Sequence, residues 1–122
     1  MSERTIAEEL APYRADLEVA LAYGGHTHSF DDVVARLEAG SAQHWRGVES
    51  IVITEIIDYP QRKTCNVWLA GGNLAEIARM VPVLEAWARE MGCTHASFTG
   101  RKGWARTFLS RDGWTPTLEV LE

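Results

Sequence analysis

Two apolar runs joined by a short turn do most to restrict how this chain folds. "SIVITEIIDYP" (residues 50–60) is dense in β-branched side chains, which fit a pleated, half-buried surface. "TCNVWLAG" (64–71) follows, and the intervening "PQRK" reads as a turn. A connection this short joins antiparallel strands, because a parallel return needs a dozen residues or more. A shorter strand candidate, "AQHWRG" (42–47), precedes them, so the three runs form an antiparallel meander. A long helical pattern then covers 73–91. Leu74, Ile77, Ala78, Val81, Leu84, Trp87, Ala88 and Met91 mark its buried face, and Gly92 closes it. Pro82 should bend this helix or disturb one turn. "CTHASFTG" (93–100) is the next strand, and the intervening helix has the length of a parallel crossover. These elements predict a mixed α/β sheet flanked by helices.

The flanks complete the plan. Residues 4–22 repeat Ile6, Leu10, Tyr13, Leu17 and Leu21 at helical spacing, with a kink or a fresh start near Ala11 imposed by Pro12. "GG" at 24–25 ends that helix. "SFDD" at 29–32 starts another through a Ser29 cap, with Val33, Val34 and Leu37 as its apolar face and Gly40 as its stop. After the crossover, "KGWARTFLSRDG" (102–113) predicts a short helix and "WTPTLEVL" (114–121) a final strand. There is no repeat or linker, so residues 1–122 read as one domain.

Charge and composition exclude several roles. The net charge of −5 lies wholly in residues 1–40, which carry eight acids and three bases, while 41–122 carry nine of each. That balance argues against nucleic-acid binding. No apolar run approaches the ~20 residues of a membrane span, and "MSERTIAEEL" lacks the apolar stretch of a secretory signal. No membrane association and a cytosolic setting are therefore expected. Cys65 and Cys93 read as free thiols. No Cys/His spacing matches a zinc site, and His26 and His28 lack an evident third ligand, so no metal is expected.

The order helix, helix, three strands, helix, strand, helix, strand resembles the acyl-CoA-dependent N-acetyltransferase (GNAT) fold without its first strand, over roughly residues 5–121. Locally, "AxxxLxxxGW" at 105–114 places Ala105, Leu109, Gly113 and Trp114 where that family commonly has A-x-x-x-Y-x-x-x-G-F. As a set, "WLAGG", "EAWAREMGC" and "GRKGWARTFLSRDGW" resemble small GNAT-like proteins of tailed bacteriophages and prophages. This resemblance implies a protein of the host cytoplasm or of the virion. It acts through a protein partner or self-association, or else is an N-acetyltransferase using acetyl-CoA.

The residues at the implied site decide between these. The family holds the cofactor pyrophosphate with Q/R-x-x-G-x-G/A ahead of the long helix, where glycine backbone and helix N–H groups face the anion. Here "VWLAGGNLAEI" has Gly71 and Gly72 adjacent, Trp68 three before Gly71, and Glu76 in the first helical turn, where it repels an anion. One reading is a strand-to-helix turn capped by Asn73. The other is a degenerate acetyl-CoA site using the backbone of Val67, Trp68 and Leu69 with Gly71, Gly72 and Asn73. On that second reading, Gly72→Glu abolishes cofactor binding and leaves the fold largely intact. Leu109 replaces the phenol that would protonate the departing thiolate, and leucine has no proton to give.

Glu55 is the candidate base. Alternation puts it on one strand face with Ile51, Ile53 and Ile57, opposite Val52, Thr54, Ile56 and Asp58. A glutamate among isoleucines can act as a base, pair with an arginine, or face solvent. Arg101 and Lys102, bracketed by Gly100 and Gly103 at a helix start, are a candidate anion site, or else flank a helix that packs through Trp104, Phe108 and Leu109. Two of the three expected chemical features are missing, so the chain is expected to be non-catalytic and to use no cofactor. The edge left by the missing first strand invites pairing.

Overall fold

A computed structural model describes residues 4–23 and 25–98. The first helix, α1 (Ile6–Leu10), is capped by Thr5, whose hydroxyl accepts the N–H of Glu8 at 3.1 Å. Pro12 then forces a single 3-10 turn, Ala11–Tyr13, before α2 (Arg14–Tyr23) resumes. The third helix, α3 (Phe30–Glu38), starts in a complete capping box. The Ser29 hydroxyl accepts the Asp32 N–H at 3.2 Å, and the Asp32 carboxylate accepts the Ser29 N–H at 2.8 Å. That bond from the Ser29 N–H, with one from its hydroxyl, holds the Asp32 carboxyl below its ordinary range.

Four strands follow: β1 (Gln43–Arg46), β2 (Ile51–Tyr59), β3 (Arg62–Gly71) and, beyond helix α4 (Leu74–Glu90), β4 (His95–Phe98). Their spatial order is β1-β2-β3-β4. The first three are antiparallel and β4 runs parallel to β3, as the meander and crossover require. The turn between β2 and β3 is tighter than the sequence suggests. Tyr59 pairs with Arg62, so Pro60 and Gln61 alone make the turn and Lys63 belongs to the strand. Among the described residues the chain opens on helix, and β1 has a single strand neighbour.

Strand alternation assigns each sheet face its own cover. Ile51, Ile53 and Leu69 pack under Leu10, Leu17, Leu21, Phe30, Val33, Val34 and Leu37 of α1, α2 and α3. Val52, Val67 and Ala70 pack under Ile77, Val81 and Leu84 of α4. Each of the larger side chains, Val, Leu, Ile and Phe, contributes roughly 1.5–3 kcal/mol when fully buried, so helices on both faces of the sheet are what the apolar pattern demands. The buried stripe of α4 is narrower than its periodicity implies. Ile77, Val81, Leu84 and Ala88 are buried, Ala78 and Trp87 are partly covered, and Leu74 and Met91 are exposed. Pro82 lies on the solvent side of an unbroken helix. Gly92, at φ +86°, ends it, and the Cys93 N–H reaches back to the Ala88 carbonyl.

Candidate functional site

The junction between β3 and α4 is built around two close backbone approaches. A Cβ on Gly71 would stand 2.8 Å from the Asp16 carbonyl oxygen of α2. Gly72 has φ +115°, and a Cβ there would collide with the Glu49 carbonyl oxygen. Both glycines are therefore required by packing, Gly72 also by conformation. Gly72→Glu cannot leave the fold intact, which corrects the expectation from sequence.

Two N–H groups of the helix start behind these glycines are already taken. Asn73 caps α4 by accepting the Glu76 N–H at 3.0 Å, and its own N–H goes to the Ser50 hydroxyl at 3.0 Å. Glu76 reaches out of the first turn to the loop between β1 and β2. Its carboxylate accepts the N–H of Val48 at 2.8 Å and of Glu49 at 2.9 Å. Bonds from Ser50, Glu49 and Val48 hold the Glu76 carboxyl below the ordinary glutamate range. The Glu49 carboxylate lies 3.4 Å from the Asn73 amide nitrogen. Two carboxylates thus stand where a pyrophosphate would approach α4, against the sign that a helix N-terminus offers an anion. This clasp involves residues 48–50, which the sequence reading overlooked. The only sequence signal for it is Glu76 three residues after a capping Asn73.

Glu55 is held from two sides. Arg36 of α3 donates to one carboxylate oxygen at 2.8 Å, and the Asn66 amide donates to the other at 3.0 Å. The Ser97 hydroxyl donates to the Asn66 carbonyl at 2.8 Å, so Glu55, Asn66 and Ser97 form a polar row across β2, β3 and β4. The register of β2 on β3 slips by one between Ile53 and Thr54, which leaves Trp68 opposite no residue of β2. This bulge turns both Trp68 and Leu69 to the α1–α3 side, against strict alternation. The Trp68 ring carries the Arg36 guanidinium at 4.7 Å and meets His28 edge-on at 5.0 Å.

Of the residues the sequence singled out, the structure thus separates two groups. Gly71, Gly72 and Asn73 lie at the α4 start, while Trp68 and Glu55 share the opposite side of the sheet, linked by Arg36. Val67 faces α4. Arg101 and Lys102, with Leu109 and the predicted last helix and strand, lie outside the described residues. Cys65 is buried, and that burial pushes its thiol up to about 11. Among the described residues no group of three His, Cys, Asp or Glu side chains could hold a metal ion, and no helix is long and apolar enough to cross a membrane.

A further concavity of about 640 Å³ runs between β1 and α4, lined by Trp45, Val48, Arg79, Met80 and Val83 among others. Val48 is 90% exposed and Val83 60%.

No family model matches the chain, and no curated protein matches it significantly. Crystal structures of the protein TTHA1254 from Thermus thermophilus, wild type and a point mutant, superpose on the whole chain and on 95% of their own length. Their TM-scores are 0.61 and 0.62 and their sequences are 14% and 13% identical. At that identity the likeness is one of fold: a mixed α/β fold whose four-stranded sheet is flanked by helices.

Proposed function

We propose that this chain is a GNAT-like protein of phage or prophage type that acts by protein association, in a virion or on a host protein, rather than by acetyl transfer. The reading rests on the sequence resemblance for its family. Against acetyl transfer it rests on one observation: the protein's own groups take two of the N–H groups at the α4 start and set two carboxylates beside it. The Asn73 N–H is taken by Ser50, the Glu76 N–H by Asn73, and the carboxylates of Glu49 and Glu76 occupy the approach. A cofactor pyrophosphate would have to displace a hydrogen-bonded loop and sit against like charge. Glu55 supports the same reading in a weaker way: Arg36 and Asn66 hold its two oxygens in a structural pairing, one bond to each.

One observation favours the alternative, an N-acetyltransferase with a degenerate acetyl-CoA site. The bulge at Trp68 interrupts the ladder among Val67, Trp68 and Leu69, the residues whose backbone such a cofactor would use. Thermal unfolding with saturating acetyl-CoA separates the two. A ligand at 100 times its Kd adds about 2.7 kcal/mol, a shift of several degrees in a domain of this size. No shift at millimolar acetyl-CoA, with a stable complex or oligomer in light scattering, is the expected result; a shift of several degrees revives the enzyme.

A further inference from the structure

We infer that the exposed edge of β1 is the seam of a two-fold homodimer, in which β1 pairs antiparallel with β1 of a second copy. The inference deepens the association reading above by naming the partner and the surface.

The backbone sets the register. The Gly47 N–H donates to the Ser50 carbonyl at 2.8 Å, which makes these two a hydrogen-bonded pair at the end of the β1–β2 hairpin. Hydrogen-bonded and non-hydrogen-bonded pairs alternate along an antiparallel ladder. Trp45 opposite Val52 is therefore bonded to β2, while His44 and Arg46, opposite Ile53 and Ile51, turn their N–H and C=O groups to the open edge. No other described strand covers that edge. Four backbone groups in two alternate residues, without a strand partner among the described residues, are a template for another strand. A two-fold axis at Trp45 sets His44 of each copy opposite Arg46 of the other and lets all four groups pair.

The side chains on both faces suit that axis. On the helical α1 side, the His44 imidazole lies 3.3 Å from the Glu9 carboxylate. The arrangement brings the second copy's Arg46 guanidinium beside this Glu9, so each subunit supplies one exposed cation and one carboxylate to the other. On the α4 side the two Trp45 residues lie directly opposite each other across the seam, each indole held in its own subunit by Trp87 edge-on at 5.1 Å and by its N–H to the Thr54 hydroxyl at 3.0 Å. Val48, Met80 and Val83 flank it and line the concavity already described. Pairing removes Val48 and Val83 from water, which explains why two aliphatic side chains stand so exposed beside a strand edge.

The test is analytical ultracentrifugation of the full chain across micromolar concentrations, with amide hydrogen exchange read at His44 and Arg46. Expected are a concentration-dependent dimer and protection of these two amides that rises with the dimer fraction. Arg46→Glu and Glu9→Arg should each weaken the dimer about tenfold or more, and the double variant should recover most of the loss. Val83→Asp should weaken it while leaving the circular dichroism and monomer melting intact. A chain that stays monomeric overturns the inference, even if a different protein is then found on β1. So does a dimer that ignores both charge reversals and leaves the two amides unprotected. Neither outcome touches the association reading, which fails separately if acetyl-CoA raises the melting temperature.

Discussion

Gly72 and Glu49 meet backbone to backbone, one at the end of β3 and the other in the turn between β1 and β2, with no room for a Cβ between them. This contact seats the hairpin turn on the start of α4 and lets Ser50 and Glu76 complete the clasp. Gly72→Ala must both adopt φ +115° and push the Glu49 carbonyl away. A left-handed conformation costs about 1–2 kcal/mol and overpacking about 1–3 kcal/mol more. The variant should lose roughly 2–5 kcal/mol in urea unfolding. A loss below about half a kcal/mol would show that the turn yields easily and that the junction can open.

Glu76 makes stability pH-dependent on the acid side. Neither Val48 nor Glu49 has a positive φ, so this two-residue turn lacks the backbone that favours hairpins, and the Glu76 carboxylate compensates by accepting both N–H groups. Its folded pKa is lowered, so its contribution is complete above the ordinary glutamate value of about 4.5 and is lost as pH falls through the folded value. Asp32 titrates in the same sense through the Ser29 capping box. Glu76→Gln should lower the melting temperature at pH 7 and make the acid-side decline shallower without abolishing it. Parallel melting curves for the two proteins between pH 7 and 3 would exclude this role.

The sequence carried the order of the described elements, through β4, because its β-branched runs and helical spacings are local signals. The same locality explains what it concealed. A four-residue turn after β2 would set Glu55 opposite Trp68, whereas the observed turn of Pro60 and Gln61 sets it opposite Asn66. The partner of the candidate base thus depended on a two-residue difference in a turn. The slip at Trp68 has no sequence signature, since "VWLA" fits regular alternation as well as a bulge. Arg36 and Glu55 are nineteen residues apart on different elements, and Glu76 and Val48 twenty-eight. Such contacts arise only once the layers pack. Gly71 and Gly72 were legible as a turn, but which of them a side chain would ruin depended on the loop lying against them.

Arg36 and Glu55 should prove coupled. Their 2.8 Å contact is partly buried, with side chains 34% and 16% exposed, and Glu55 keeps Asn66 when Arg36 is removed. An exposed pair contributes up to about 1 kcal/mol, and breaking a buried one costs about 3–5. A double-mutant cycle of Arg36→Met and Glu55→Gln should give a coupling of roughly 1–2 kcal/mol, between those limits. Arg36→Met also removes the cation from the Trp68 ring, so the indole fluorescence should change in that variant. Zero coupling would mean that Glu55 is held by Asn66 alone and is open to another partner.

Pro82 offers a test of the opposite sign. It stands inside α4, on the solvent side, between the buried Val81 and the exposed Val83. Its ring nitrogen cannot donate to the Ala78 carbonyl, so one bond of the helical ladder is missing, and proline in a helix interior is about 3 kcal/mol less favourable than alanine. Proline also restricts the unfolded chain, which offsets about 1 kcal/mol of that difference. Pro82→Ala should therefore stabilise the protein by about 1–2 kcal/mol, seen as a higher urea midpoint at unchanged slope. The Ala78 carbonyl gains its donor, and the buried stripe of Ile77, Val81, Leu84 and Ala88 is untouched. A lower midpoint would show instead that the proline sets a curvature α4 needs to follow the twisted sheet. In that case the covering of Val52, Val67 and Ala70 depends on Pro82.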